Sequence, residues 1–513
     1  MSLIEVKDLS FKYKDTLLEN INFRLLEKEH AVLVGKNGTG KTTLLKLLAK
    51  ELIPDSGVIT FNNKVRVGYL DQYANIDKDL TVWEYIYAVF APLHKKEIEL
   101  NEVYLKISNE KDDQKINRLL AYASTIQDEL NDSDYYDLDV KINNILIGLG
   151  LYKEILSFKI KELSGGMREK LILAKLLLSE SDMLILDEPT NFLDVIHIEW
   201  LTKFLISFKG SYLVVSHQES FINEIAEVVF SLENGYIERY KGNYLFYLAE
   251  KDLRIKQQNT QFKKQQEYIK KTEIFIAKNI AKATLSTRAK SRVKMLNKIT
   301  RLKGYKESKK YSFSFPLSKE TGKDVLKVSN LEIGYEFPLV DPISFEVKKG
   351  DRIVITGKNG VGKSTLIKTL LNLKEKISGS YTWIDTAIFS YFSQENENNK
   401  EISPFELVDY NFATWNKEEI MSLLGSVGIN YEMANRPLSS LSGGEVTRIR
   451  LAILKNKKGN VLILDEPTNH LDIDAKSALL KALKEYEGTL ILVSHDKEFY
   501  LNICTIEIEL TQS

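Results

Sequence analysis

Several short stretches of the chain are apolar at every position, among them Ala31-Val32-Leu33-Val34, Met183-Leu184-Ile185-Leu186, Ile353-Val354-Ile355 and Val461-Leu462-Ile463-Leu464. Unbroken apolar runs of strand length suit a parallel sheet covered on both faces. The first ten residues instead alternate apolar and polar, the period of a half-exposed strand, and lack the basic start and apolar block of a signal peptide. No proline falls between Pro189 and Pro316, and residues 251–303 are rich in Lys, Gln, Ala, Ile and Leu, all compatible with long helices. Ile269, Ile276 and Ile280, then Val293, Leu296, Ile299 and Leu302, approximate helical spacing. This predicts a two-helix segment with its turn near Ala281 to Lys290. No apolar run approaches the ~18 residues needed to span a bilayer.

The chain repeats itself. Gly35-Lys36-Asn37-Gly38-Thr39-Gly40-Lys41-Thr42 returns as Gly357-Lys358-Asn359-Gly360-Val361-Gly362-Lys363-Ser364 at an offset of 322, which also carries Tyr13 to Tyr335 and Gln72 to Gln394. Leu163-Ser164-Gly165-Gly166, Asp187-Glu188-Pro189-Thr190 and Ser216-His217 recur as Leu441-Ser442-Gly443-Gly444, Asp465-Glu466-Pro467-Thr468 and Ser494-His495 at an offset of 278. The difference, 44 residues, is an insertion in the first copy between Gln72 and Ser164. A tandem duplication fits the length of 513 residues, about three times a typical domain of ~150. The predicted units are 1–247, with an inserted arm at about 91–135, then a linker at 248–322 and a second copy at 323–513.

Each copy carries nucleotide chemistry. A Gly-x4-Gly-Lys-Thr/Ser loop between an apolar strand and a helix is the Walker A pattern: glycines turn backbone amides inward around phosphates, and the helix N-terminus adds positive charge. Lys41 and Lys363 would neutralise the β and γ phosphates, Thr42 and Ser364 would bind Mg²⁺, and the cradle extends to Thr43 and Thr365. Asp187 and Asp465 end apolar strands where an open α/β sheet meets its ligand, which places them to hold Mg²⁺ through water, and the adjacent Glu188 and Glu466 can polarise an attacking water. Both acids are present in both copies, so both sites are expected to hydrolyse.

Composition narrows the class. Lys plus Arg and Asp plus Glu are both 71, so affinity for nucleic acid must be local. It is concentrated in residues 251–310, with 19 basic against 4 acidic side chains. Taken alone such a run is ordinarily a solvated helix face, yet it suits salt-dependent RNA binding, to which Arg288 and Arg292 can add bidentate contacts. The arm is net acidic, with 6 basic and 10 acidic side chains in 91–135 and helical stretches around Lys95 to Ile107 and Asp113 to Leu130. It suits a basic protein surface, or is a solvated spur. The single cysteine, Cys504, excludes an internal disulfide, a thiolate metal cage and an iron–sulfur cluster, and points to a reducing cytosol.

The Leu-Ser-Gly-Gly signature between the two Walker motifs, with Gln72 and Gln394 before it and His217 and His495 after it, resembles the ATP-binding-cassette ATPases over essentially the whole chain. The resemblance implies an α/β fold of two tandem P-loop cassettes that close head to tail. Ser164, Gly165 and Gly166 would then cap the ATP held by Lys363, and Ser442, Gly443 and Gly444 the ATP held by Lys41. It also implies switch histidines (His217, His495), Q-loop glutamines near Mg²⁺ and water (Gln72, Gln394), adenine-stacking aromatics (Tyr13, Tyr335), and coupling loops at Asn191-Phe192-Leu193-Asp194 and Asn469-His470-Leu471-Asp472. For the tyrosines an ordinary place in a strand is the competing reading.

Two fused cassettes without a membrane span, a helical linker and an arm in the first cassette alone resemble the ABC-F class of bacterial translation factors. Val67-Gly68-Tyr69-Leu70-Asp71-Gln72 and Ser286-Thr287-Arg288-Ala289-Lys290-Ser291-Arg292 carry the likeness. It implies a cytoplasmic monomer that uses ATP and Mg²⁺ and binds the exit site of the 70S ribosome. Its linker would face ribosomal RNA and peptidyl-tRNA, its arm a ribosomal protein, and hydrolysis would release it. Antibiotic resistance through displacement of drugs is the alternative within the class. A transporter ATPase is disfavoured by the basic linker, a DNA-maintenance protein and a ribosome-recycling ATPase by the missing cysteines.

Overall fold

A computed structural model describes residues 2–13, 16–62, 65–70, 77–179, 181–233, 235–279, 286–301, 311–335, 337–358, 360–393, 401–469 and 471–511. The duplication appears as two copies of one architecture. In the first, strands in the order Val67–Leu70, Met183–Asp187, Ser211–Val215, His30–Val34 and Val228–Glu233 run parallel, and Tyr236–Lys241 adds an antiparallel edge. In the second, Phe389–Phe392, Val461–Asp465, Thr489–Val493, Arg352–Gly357 and Ile506–Leu510 repeat the parallel order. A three-stranded antiparallel sheet accompanies each: Thr16–Leu26, Ser2–Lys12 and Ser56–Phe61 in the first, Ile343–Lys348, Asp324–Glu332 and Ser378–Trp383 in the second.

The packing explains the unbroken apolar strands. Successive residues of a strand face opposite sides, so Met183 and Ile185 enter the core shared with the Walker A helix Lys41–Leu48, while Leu184 and Leu186 enter the core beneath the helical side. Val461 and Ile463 part from Leu462 and Leu464 in the same way. Each strand is therefore buried along its length and ends at its acid on the nucleotide side.

The arm forms the expected pair of helices, Ala91–Asn109 and Asp113–Asp132. Leu100 and Val103 are buried on the first and Ala123, Ile126 and Leu130 on the second. Asp112 caps the second helix by accepting from the amides of Gln114 and Lys115. Lys96 pairs with Glu129 at 2.7 Å, and the Tyr122 hydroxyl donates to Glu99 at 2.6 Å, both across the hairpin.

The linker also has two helices, Tyr244–Asn279 and Ser286–Lys298. At 1.5 Å per residue the 36-residue first helix is roughly 54 Å long. It is rooted in the first cassette by buried Tyr244 and Tyr247, the latter 3.2 Å from Ser231 through the hydroxyls. The turn expected at 281–290 needs correction: its first residues, with Ile280, lie outside the described residues, but the second helix has already begun at Ser286. No glycine or proline in 286–290 interrupts it. Further on, residues 311–318 pack on the second cassette. Phe313 is buried in its core, and Leu317 bridges to Gly459. Among the described residues no helix is long and apolar enough to cross a membrane.

Candidate functional site

Each Walker A loop leaves its strand and enters its helix through a glycine that only a residue without a Cβ tolerates well: Gly40 at φ 96° and Gly362 at φ 111°. In the first cassette Lys41 folds back so that Nζ donates to the carbonyls of Gly35 at 2.7 Å and Lys36 at 3.0 Å. In the second, Lys363 donates to Gly357 at 2.9 Å and Lys358 at 3.0 Å. Both lysines are buried, and burial lowers their pKa against the pull of nearby carboxylates. Such an ammonium, held by loop carbonyls at the start of a helix, is a ready counter-charge for phosphate.

The Thr42 hydroxyl is hydrogen-bonded to Asp187, whose carboxyl burial pushes up. Together they present hard oxygen donors for a divalent cation, and Ser364 and Asp465 occupy the matching positions. Among the described residues no cluster of three or more His, Cys, Asp or Glu could hold a metal by itself. A site completed by phosphate oxygens and water is the Mg²⁺ pattern. Gln72 and Gln394, expected beside it, lie outside the described residues, as does Asn359.

Glu188 and Glu466 follow these aspartates in the left-handed region, at φ 50° and 49°, a conformation that non-glycine residues avoid and that often marks functional strain. Their amides are fixed by the carbonyls of Val215 and Val493. Glu188 Oε1 lies 3.3 Å from His217 Nε2, and its Oε2 accepts from the His217 amide. Glu466 Oε1 lies 3.0 Å from His495 Nε2. Burial, with Asp187 adding to it, pushes Glu188 up to about 8. Burial likewise takes Glu466 to about 8 and His495 down to about 4.

The two cassettes meet head to tail. Asp472 accepts the Asn37 amide of the first Walker A loop at 3.3 Å, Lys36 pairs with Asp474, and Lys476 donates to the His217 carbonyl at 3.3 Å. Glu445, three residues after Ser442, lies beside Gly38. The second signature, Ser442-Gly443-Gly444, therefore starts its helix against the first Walker A loop. At the other site the Asp194 carboxylate acts on Lys363 and His495. Ser164 and Ser442 both cap their own signature helices, accepting from Met167 at 3.2 Å and Glu445 at 3.3 Å, and Gly165 and Gly443 begin those helices. Gly166 and Gly444 follow in the first turn.

Tyr13 and Tyr335 are 66% and 77% exposed, so each offers a ring face to a base. Tyr13 sets its ring edge-on to Phe11, and Lys374 Nζ lies over Tyr335 at 2.9 Å from the ring centroid. The sequence reading missed Asp474 and Lys476, which look like ordinary charges of the helix Ile473–Glu485 and act across the cassette interface.

The ABC transporter family model matches residues 18–191 and 340–469, and a companion extension model matches 230–315. An ABC transporter ATP-binding protein of Bacillus subtilis, YfmM, is 37% identical over 98% of each chain. ABC transporter F family member 5 of Arabidopsis thaliana is 32% identical over 99% of this chain and 74% of its own. Among solved structures, the RNase-L Inhibitor aligns with a TM-score of 0.60 at 19% identity, covering 99% of this chain and 88% of that one. A model of ribosome-bound archaeal Pelota and ABCE1 aligns at 0.59 and 19%, covering 99% and 76%. The duplicated Walker loops and acidic strand ends, together with these relatives, make the chain an ATPase of the ATP-binding-cassette family and a member of its ABC-F class.

Proposed function

We propose that this ATPase is a ribosome-binding translation factor. Closed on two nucleotides, it occupies the tRNA exit site of the 70S ribosome, directs its linker toward the peptidyl-tRNA acceptor arm and the peptidyl-transferase centre, and leaves on hydrolysis. The observation that carries this reading is the linker surface. Every described lysine and arginine from Arg254 to Arg301 is exposed; Arg254 pairs with Glu250 and Arg292 lies over the Phe275 ring, while the described lysines from Lys256 to Lys298 present their charge outward. Each phosphate they meet releases counterions. The acidic arm, 91–135, is assigned to a ribosomal protein, and the working form is a cytoplasmic monomer.

In this reading Thr42, Asp187 and Gln72, and Ser364, Asp465 and Gln394, hold Mg²⁺, which would neutralise charge gathering on the β and γ phosphates. Lys41 and Lys363 grip those phosphates. Glu188 and Glu466 orient and polarise the attacking water, and His217 and His495 steady the γ-phosphate. Ser164 to Gly166 and Ser442 to Gly444 cap from the opposite cassette, while Tyr13 and Tyr335 stack on adenine.

The test is Glu188→Gln with Glu466→Gln. With ATP at low salt the double variant should hydrolyse nothing and pellet with 70S ribosomes. If it sediments apart from them, the translation role is lost while the ATPase stands. We assign a general factor rather than a drug-resistance factor; a shift in tolerance to pleuromutilins, lincosamides or streptogramin A on expression would reverse that choice.

A further inference from the structure

Tyr311 stands where the linker returns to the second cassette. Its hydroxyl meets the Arg448 guanidinium, which also lies against the Tyr311 ring, 4.7 Å from the centroid. Arg448 belongs to the second signature helix, Gly443–Lys455, and is 4% exposed. Its Nη1 is 3.6 Å from Asp472 Oδ2, and the Tyr311 hydroxyl is 3.5 Å from the same oxygen. That oxygen accepts the Asn37 amide, while Oδ1 accepts the Ala475 amide at 2.9 Å and caps a helix. The linker end, a signature helix, a coupling loop and the opposite Walker A loop thus converge on one buried carboxylate.

The other site is built from different residues. At the offset of 278, Arg448 corresponds to Lys170 and Asp472 to Asp194, while Asp474 and Lys476 correspond to Ile196 and Ile198. Lys170 offers an ammonium where Arg448 offers a planar fork able to serve a ring, a hydroxyl and a carboxylate together. Asp194 begins its helix without a side-chain cap. The returning linker, moreover, packs into the core of the second cassette.

We infer that Tyr311 is a positioning residue for hydrolysis at the site of Lys41 and Glu188, acting through Arg448 and Asp472 on the Walker A loop. With Tyr311 seated, Arg448 is shared and Asp472 is held against Asn37. With the linker end displaced, Arg448 draws on Asp472 alone, and the loop amide loses a fixed acceptor. Seating of the linker therefore tunes one of the two sites. This is a contiguous chain of contacts, and the test supplies the coupling that such a chain requires.

The experiment uses the full chain in two backgrounds. Glu466→Gln leaves the Glu188 site to hydrolyse, and Glu188→Gln leaves the Glu466 site. Turnover is followed at steady state and, with enzyme in excess, in a single turnover. Tyr311→Phe should lower kcat about three- to tenfold in the first background, with KM for ATP within about twofold, and leave the second unchanged. Arg448→Lys, which installs the first cassette's residue type, should reproduce that selective loss. Equal losses in both backgrounds, no loss in either, or a rise in KM alone would overturn the inference. Should Tyr311→Phe melt early, Asp472→Asn, which keeps a capping oxygen, must give the site-selective loss, and its failure to do so counts against the inference equally.

Discussion

Glu466 Oε1 sits 3.0 Å from His495 Nε2 in a pocket that favours the uncharged form of both. Burial disfavours the charged form of each, so between about pH 4 and 8 the two groups lie side by side without a net charge in the nucleotide-free protein. Glu188 is raised in the same way beside His217.

The pH dependence follows from the direction of these shifts. A carboxyl whose folded pKa is raised stabilises the fold fully below its unfolded value of about 4.5, and that contribution is lost as pH climbs through about 8. Glutamine does not ionise. The Glu188→Gln, Glu466→Gln protein, free of nucleotide and metal, should therefore gain thermal stability over the parent as pH rises from 5 to 8, and the gap should level off above that. Calorimetry at stepped pH in chelator checks it, and a gap that narrows with pH contradicts it.

Linker charge makes a second prediction. Lys263, Lys264, Lys270 and Lys271 are exposed on Tyr244–Asn279. If each meets a phosphate, replacing all four with alanine should flatten the plot of log affinity against log salt by about 3. The measurement is ribosome binding by the hydrolysis-deficient form in ATP across a salt series. An unchanged slope would place the RNA contact elsewhere. ATP hydrolysis without ribosomes should be unaffected.

Much of this was legible because burial writes itself into the chain. Met183 to Leu186 read as a two-sided strand since each residue enters one of two cores. The same rule hid Tyr311, which follows a lysine-rich stretch and resembles linker, although with Phe313 it packs on the second cassette. The left-handed backbone at Glu188 and Glu466 leaves no mark in residue type, because no glycine stands there to announce it. Asp474 and Lys476 show their purpose only when the other cassette is brought against them.

The lone thiol gives a third prediction. Cys504 packs beside the second cassette's core, and burial pushes its pKa from 9.0 up to about 12. The thiolate is the reactive species, so at pH 8 the native protein should be alkylated about a thousandfold more slowly than an exposed thiol. The rate should recover on unfolding in guanidinium. Fast native labelling would show that the residue is open to solvent.

Adenine recognition gives the last. Tyr335 is exposed in the second cassette, with Lys374 covering one face of its ring and the other left for a base, while the residue matching Lys374 in the first cassette is Leu52. Stacking of a base on an aromatic side chain is worth about 1–3 kcal/mol, and it acts on bound ATP before and during the chemical step alike. Tyr335→Ala should therefore raise KM for ATP roughly five- to a hundredfold at the Glu466 site, read in the Glu188→Gln background, with kcat little changed. Tyr335→Phe keeps the ring and should restore most of the affinity, and Tyr13→Ala should behave alike at the Glu188 site. If Tyr335→Ala lowers kcat and leaves KM alone, the ring serves the closed cassette rather than the base.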